Sequence, residues 1–161
     1  MRTCNGFSLV EVMIAMAIFG LLLAMALPKF SKARETARIE KAQGDLELIA
    51  AAAKQLAWDT GKWPGGQSRT DRDQEIWDLS TSSAGILSRD SGFDEDRWKG
   101  PYLDELPDDP WGSKYFFDPD YNRGGTNYIV VGSRGPNGTG PGPGSVANYD
   151  SDDIIVLVHR D

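Results

Sequence analysis

Phe7 to Leu27 is a run of 21 mostly apolar residues, broken by one charge, Glu11, and closed by Pro28. A helix that crosses a bilayer needs about 20 predominantly apolar residues, so the run predicts a membrane span. A charged side chain inside such a span costs roughly 2.5–3.5 kcal/mol at its centre and marks function by default. Ahead of the run, Met1 to Gly6 is a short polar leader with one basic residue, Arg2. The chain must therefore both anchor itself and satisfy an anion held in an oily rod.

Three plain readings compete. A secretory signal peptide would use Arg2 as its basic region and Ala24-Met25-Ala26 as its cleavage site. Its apolar stretch would be about 7–15 residues, shorter than this one, and would carry no carboxylate. A simple anchor would let Glu11 reach back to the headgroups. A lipid anchor on Cys4 is disfavoured, because Cys4 precedes the apolar run instead of following it.

Gly6-Phe7-Ser8-Leu9-Val10-Glu11, with Gly20 inside the run and Pro28 closing it, resembles the N-terminus of type IV pilins and type II secretion pseudopilins. The resemblance implies that a prepilin peptidase cuts after Gly6 from the cytoplasmic side and methylates the new amine of Phe7. Glu11 would then be the fifth residue of the mature chain, facing the amine of a neighbouring subunit. A carboxylate and an ammonium attract strongly in low dielectric, and either one left alone there is costly.

Charge and resemblance disagree on orientation. Arg2 alone precedes the span, whereas Lys29, Lys32, Arg34 and Arg38 follow it, and the excess of positive charge normally stays in the cytoplasm. The resemblance instead puts the N-terminus in the cytoplasm and a C-terminal head in the periplasm, on a single-pass inner-membrane protein.

The rest reads as one modest domain behind the anchor. The net charge is −7, and from Asp59 onward 19 acids face 10 basic residues. Such a head has no electrostatic footprint for nucleic acid. Cys4, the one cysteine, would leave with the leader, so the head can hold no disulfide. That separates it from the many type IV pilins that staple the C-terminal region with a cysteine pair.

Four segments are expected: a leader over 1–6, a transmembrane helix over 7–28, an amphipathic helical stalk over 29–58 and an acidic α+β head over 59–161. In the stalk, Ile39, Ala42, Leu46, Ile49, Ala53 and Leu56 recur at alternating steps of three and four, one apolar stripe that should lie on the head. Pro28 removes a backbone hydrogen bond where a kink is expected. A short helix is expected over Glu75–Leu87, and strands over Lys114–Asp118, Asn127–Gly132 and Ile154–His159. Tyr121–Gly125 would turn between the first two, and the third is apolar enough to be buried.

Trp98-Lys99-Gly100-Pro101-Tyr102-Leu103, Leu106-Pro107 and Asp109-Pro110-Trp111-Gly112 resemble a segment of the major pseudopilins of type II secretion. Taken as residues, this is a proline-pinned turn whose Trp98, Tyr102 and Trp111 should pack beneath the sheet. Asp108 and Asp109 read as a solvated turn. His159, alone near the chain end, has no partners for zinc or acid–base chemistry. The implied fold is pilin-like α+β, a long N-terminal helix packed on a small antiparallel sheet.

The loop over 132–153 is the candidate for chemistry. Its glycines let carbonyls converge, and Asp150, Asp152 and Asp153 offer hard oxygens. Calcium takes six to eight oxygens at about 2.3–2.6 Å. The major pseudopilins imply a calcium here, with Asp152 or Asp153 as carboxylate ligands, Asn137 as an amide oxygen and Ser133 through its carbonyl or hydroxyl. Arg134 departs from the pattern, since members often carry aspartate there, and Thr139–Ala147 lengthens the loop.

The function implied is a filament subunit of a type II secretion pseudopilus that polymerises with itself. Its partners would be minor pseudopilins, the prepilin peptidase, an inner-membrane assembly platform with a cytoplasmic ATPase motor and, indirectly, an outer-membrane secretin. The chain has no phosphate-binding loop of its own and no nucleophile–histidine set, so no enzyme is expected. A surface pilus for adhesion or motility is the alternative.

Overall fold

A computed structural model describes residues 6–70, 74–142 and 149–160. The leader residues Arg2 and Cys4, and residues 143–147 of the lengthened loop, lie outside the described residues. The architecture is α+β: helix α1 (Leu9–Thr60), a two-stranded hairpin and a three-stranded antiparallel sheet. The chain divides into two compact units, residues 1–37 and 38–161.

The first unit is helical from Leu9. The helix opens on Ser8, whose carbonyl accepts from the amides of Glu11 and Val12 at 3.1 and 3.2 Å. α1 passes through position 28 without a break in its assignment and is long and apolar enough to cross a membrane. Phe7, Leu9, Met13, Met16, Phe19 and Leu22 are all exposed. No soluble helix leaves so much apolar surface open unless lipid or another chain covers it.

The second unit holds the core. Ala42, Leu46, Ile49, Ala53 and Leu56 of α1 are buried and Ile39 only half-buried, so the expected stripe faces the head from Ala42 onward. Each buried Leu or Ile is worth about 1.5–3 kcal/mol over the exposed state. The helix runs two residues past Trp58, to Thr60, whose hydroxyl bonds back to Leu56 O at 2.7 Å. Strands β1 (Lys62–Trp63) and β2 (Gln67–Ser68) then form a short hairpin.

Strands β3 (Phe116–Arg123), β4 (Thr126–Ser133) and β5 (Ile154–Arg160) lie in that order, all antiparallel. Gly124 and Gly125 join the first two with φ of 64° and 83°. Two successive positive φ values match a hairpin turn that follows the strand twist. Phe117, Ile129, Val131 and Val158 face the helix-side core, with Tyr115, Trp63, Leu79, Ile86 and Phe93 filling around them.

Four expectations change. Glu75–Leu87 is not an α-helix. Ile76 pairs as a bridge with Phe117, Leu79 donates to Tyr115 O at 3.1 Å, and only a 3-10 turn forms, at Ser82–Ala84. Asp78 captures the Ser80 amide at 2.9 Å, local bonding that competes with helix. β3 continues beyond Asp118 to Arg123, because a bulge between Asp118 and Tyr121 absorbs Pro119. β5 is an edge strand and not a buried one: Val158 is buried, but Leu157 is 50% exposed. Finally, Trp98 and Tyr102 do pack against the core, in a T-shaped pair at 5.8 Å, whereas Trp111 stays half-buried outside it.

Candidate functional site

Two places carry the predicted site residues. At the N-terminus, Phe7 and Glu11 are four residues apart and line one shallow groove with Ala15, Met16 and Phe19. Phe7 is 83% exposed. Glu11 is exposed too, and among the described residues it has no ion-pair partner. Gly6 is exposed, with open space where a side chain would sit. The groove is a carboxylate set in apolar surface, next to the position where a cut after Gly6 would create an amine.

The second place is the loop between β4 and β5. The Asn137 side chain gathers two aspartates: its amide nitrogen donates to Asp150 Oδ2 at 2.8 Å and to Asp152 Oδ1 at 2.6 Å. Its backbone amide donates to Asp152 Oδ2 at 3.0 Å, and its own Oδ1 accepts from the Thr139 amide at 2.6 Å. Asp153 joins through Oδ2, which accepts from the Asp150 amide at 2.8 Å, while its buried Oδ1 has no partner among the described residues. Gly135, at φ 61°, lets the glycine arm touch the acidic arm: a Cβ there would sit 2.0 Å from Asp152 O.

Ser133 does not join them. It is buried, and its hydroxyl donates to Asp109 Oδ2 at 2.5 Å. Arg134 is held by the loop itself, its Nε donating to Pro141 O at 2.9 Å, and its charge favours the ionised form of Asp153. Burial, followed by the charges of Asp150 and Asp152, nonetheless pushes Asp153 up to about 6. Asp150 is held down to about 2 by hydrogen bonding with Asp152 and then with Asn137.

These donors are all oxygens, which suits a hard cation. Among the described residues no three His, Cys, Asp or Glu side chains converge closely enough to hold an ion unaided. The Asn137 NH2 group, however, stands between two carboxylates, and among the described residues the buried Asp153 Oδ1 has no hydrogen-bond donor. Rotating that amide would present its oxygen instead, at the expense of the bond this oxygen accepts from the Thr139 amide. The fit thus rests on Asn137, Asp150, Asp152 and Asp153, without the Ser133 hydroxyl.

Three residues of the site escaped sequence reasoning. Asp109 is no solvated turn residue: it is only 4% exposed and accepts from the Trp111 and Ser113 amides at 3.0 and 2.7 Å as well as from Ser133. The signal was Asp followed by Pro two residues ahead of Gly, a turn in which aspartate binds its own backbone. Asp118 and Tyr149 form the other pair, in which the Tyr149 hydroxyl donates to the buried Asp118 carboxylate. They are 31 residues apart and no local pattern links them. The His159 ring lies tilted beside Trp63, at 6.0 Å between rings.

Residues 1–27 match the family described as the prokaryotic N-terminal methylation motif, and residues 29–150 match that described as type II secretion system (T2SS), protein G. Relatives named type II secretion system core protein G align along nearly the whole chain. The one from Pseudomonas aeruginosa is 26% identical over 152 residues, covering 93% of this chain and 98% of its own length. That from Vibrio cholerae is 28% identical over 155 residues, covering 96% and 97%. That from Klebsiella pneumoniae is 26% identical over 149 residues, covering 92% and 96%. With most of its length matched and the long helix and small antiparallel sheet in place, the chain belongs to the type II secretion system protein G family, the major pseudopilins.

Proposed function

We propose that this protein is the structural subunit of a type II secretion pseudopilus, polymerising in the cell envelope to help drive folded proteins outward. The observation that carries the reading is the exposed apolar helix with one carboxylate, Glu11, a turn from Phe7. As a monomer this surface belongs in lipid, and in a filament it is covered by other copies. A membrane-anchored protein of this family belongs to the envelope. The inner-membrane topology, with a cytoplasmic N-terminus and a periplasmic head, follows from where the peptidase must act. Minor pseudopilins, an assembly platform with its ATPase motor and an outer-membrane secretin are the partners this role requires. The role is mechanical and needs no catalysis by this chain. A surface pilus is the weaker reading, because the head has no cysteine pair and the family match is to secretion.

The test is the mass of the mature N-terminus. Intact-mass and peptide analysis of protein purified from native membranes is expected to begin at an N-methylated Phe7. A chain that keeps Met1–Gly6 in assembled filaments would refute the processing step, and with it the pairing of Glu11 with a neighbour's amine.

Calcium is the proposed occupant of the acidic loop, held by Asp150, Asp152, Asp153 and Asn137. There it would draw the glycine and acidic arms together. At a free concentration 100-fold above its Kd, a ligand that binds only the folded state adds about 2.7 kcal/mol. For a domain of this size that is on the order of 10 °C in Tm. Melting the full-length protein in detergent micelles, with calcium and with chelator, is expected to show that gap. Identical melting curves would remove calcium from the loop's chemistry.

A further inference from the structure

The loop's glycine arm is fixed to the body of the head. Asp109 takes the Ser133 hydroxyl, and the Ser133 oxygen accepts from the Gly135 amide at 3.1 Å, which sets Gly135 against Asp152. The acidic arm returns to the sheet at Tyr149, the residue just before Asp150. The Tyr149 ring meets Tyr121 edge-on at 4.7 Å and lies 6.1 Å from Phe116, on the sheet face turned away from the main core. Its hydroxyl donates to Asp118, a carboxylate 5% exposed, whose other oxygen accepts from the Asp120 amide at 2.9 Å in the β3 bulge.

We infer that Asp118 is a positioning residue for the cation loop, acting through Tyr149. The phenol has only two side-chain torsions, its ring is wedged between aromatics and its hydroxyl ends on a buried anion, so the Cα of Tyr149 is held in place. Asp150 follows directly. Its distance to Asn137, and through Asn137 to Asp152, is thereby set from the sheet as well as by the bonds within the loop. A cation needing oxygens within a few tenths of an ångström gains affinity from that fixed spacing. Groups that orient ligands without touching the metal typically change affinity 10–100-fold when lost. The inference rests on the calcium reading above, and it explains why a bulge carrying Pro119 buries a carboxylate at Asp118. The bulge that follows Asp118 supplies the Asp120 amide that holds the carboxylate's other oxygen.

The test uses the full-length protein in detergent micelles and calcium alone, titrated by isothermal calorimetry. Tyr149→Phe removes only the hydroxyl and is expected to weaken calcium binding about 10-fold or more. Asp118→Asn can keep its oxygen on the Asp120 amide and turn its NH2 to the phenol oxygen, so a hydrogen-bonded tether remains, and it is expected to stay within about threefold of wild type, the rescue that a bare loss of packing would not give. Ile49→Val trims the helix-side core, far from this tether, and is expected to leave the Kd unchanged although it lowers Tm. Binding by Tyr149→Phe within twofold of wild type, or equal weakening by Ile49→Val, overturns the inference. If the wild type takes up no calcium, the metal reading falls by itself. Hydrogen exchange at the Asp150 and Asp152 amides then decides the tether: faster exchange in Tyr149→Phe than in Ile49→Val supports it, and equal exchange removes it.

Discussion

Changing Glu11 to alanine is expected to abolish filaments while leaving the protein in the membrane. In lipid the monomer tolerates Glu11 because the residue lies in the first turn of α1, close enough to the end for water and headgroups to reach it. In a filament the apolar run is covered by copies of itself, and the carboxylate then needs a cation. On the processing proposed above, the methylated amine of Phe7 on a neighbour would supply it. Removing one partner of a buried ion pair costs about 3–5 kcal/mol, since the other charge is stranded. That is roughly two to four powers of ten in association for each contact, and it recurs at every subunit added. Membrane insertion depends on the apolar length and not on the pair, so it should persist or improve. Electron microscopy of overexpressing cells reads the filaments, and fractionation reads the insertion. Filaments of normal number and length from Glu11→Ala would sink the pairing. Glu11→Gln separates charge from shape: it keeps the size of the side chain, and if charge decides, it should fail almost as badly as alanine.

What could be read from the residues divides along the distance over which the information is encoded. The stripe Ala42, Leu46, Ile49, Ala53 and Leu56 declares its buried face in its own spacing, and the helix-side core forms on it. Gly124-Gly125 declares a hairpin turn because few other pairs accept two positive φ values. Glu75–Leu87 misled because its Ile76, Leu79, Ile86 and Leu87 fit a helical face, while the decisive partner, Phe117, lies some 40 residues away. β5 misled because an unbroken apolar run says nothing about whether a second neighbour covers it. In the acidic loop Asp150, Asp152 and Asn137 were legible as oxygen donors, and the structure brings them together. Of the two Ser133 groups considered, the hydroxyl is engaged by Asp109, which is 24 residues upstream and looked like a surface turn. The Asp118–Tyr149 link has no local signature either. Chemistry could be guessed from residue type, but the supporting contacts come from tertiary structure.

Phe117→Ala is expected to cost the head about 3–5 kcal/mol, the range for truncating a fully buried phenylalanine. Folded domains are stable by only about 5–15 kcal/mol, so one change here approaches global unfolding. The ring is wholly buried, 6.3 Å from Trp63. The backbone of Phe117 exchanges two hydrogen bonds with Ile76, each 2.8 Å. Those bonds pin both neighbouring segments, so the walls of the new cavity cannot collapse into it, which is the circumstance that puts a truncation at the upper end of its range. Phe117→Leu keeps most of the volume and should lose much less. Leu157→Ala, on the half-open edge strand, trims a side chain that is 50% exposed, and should lose least of the three. Denaturant unfolding of the full chain in micelles, followed by near-UV circular dichroism, ranks them, while far-UV signal from the apolar part of α1 should survive in all. Equal losses from Phe117→Ala and Leu157→Ala would mean that the head does not draw its stability from the seam between sheet and helix, and that its buried aromatics fill space without holding the two layers together.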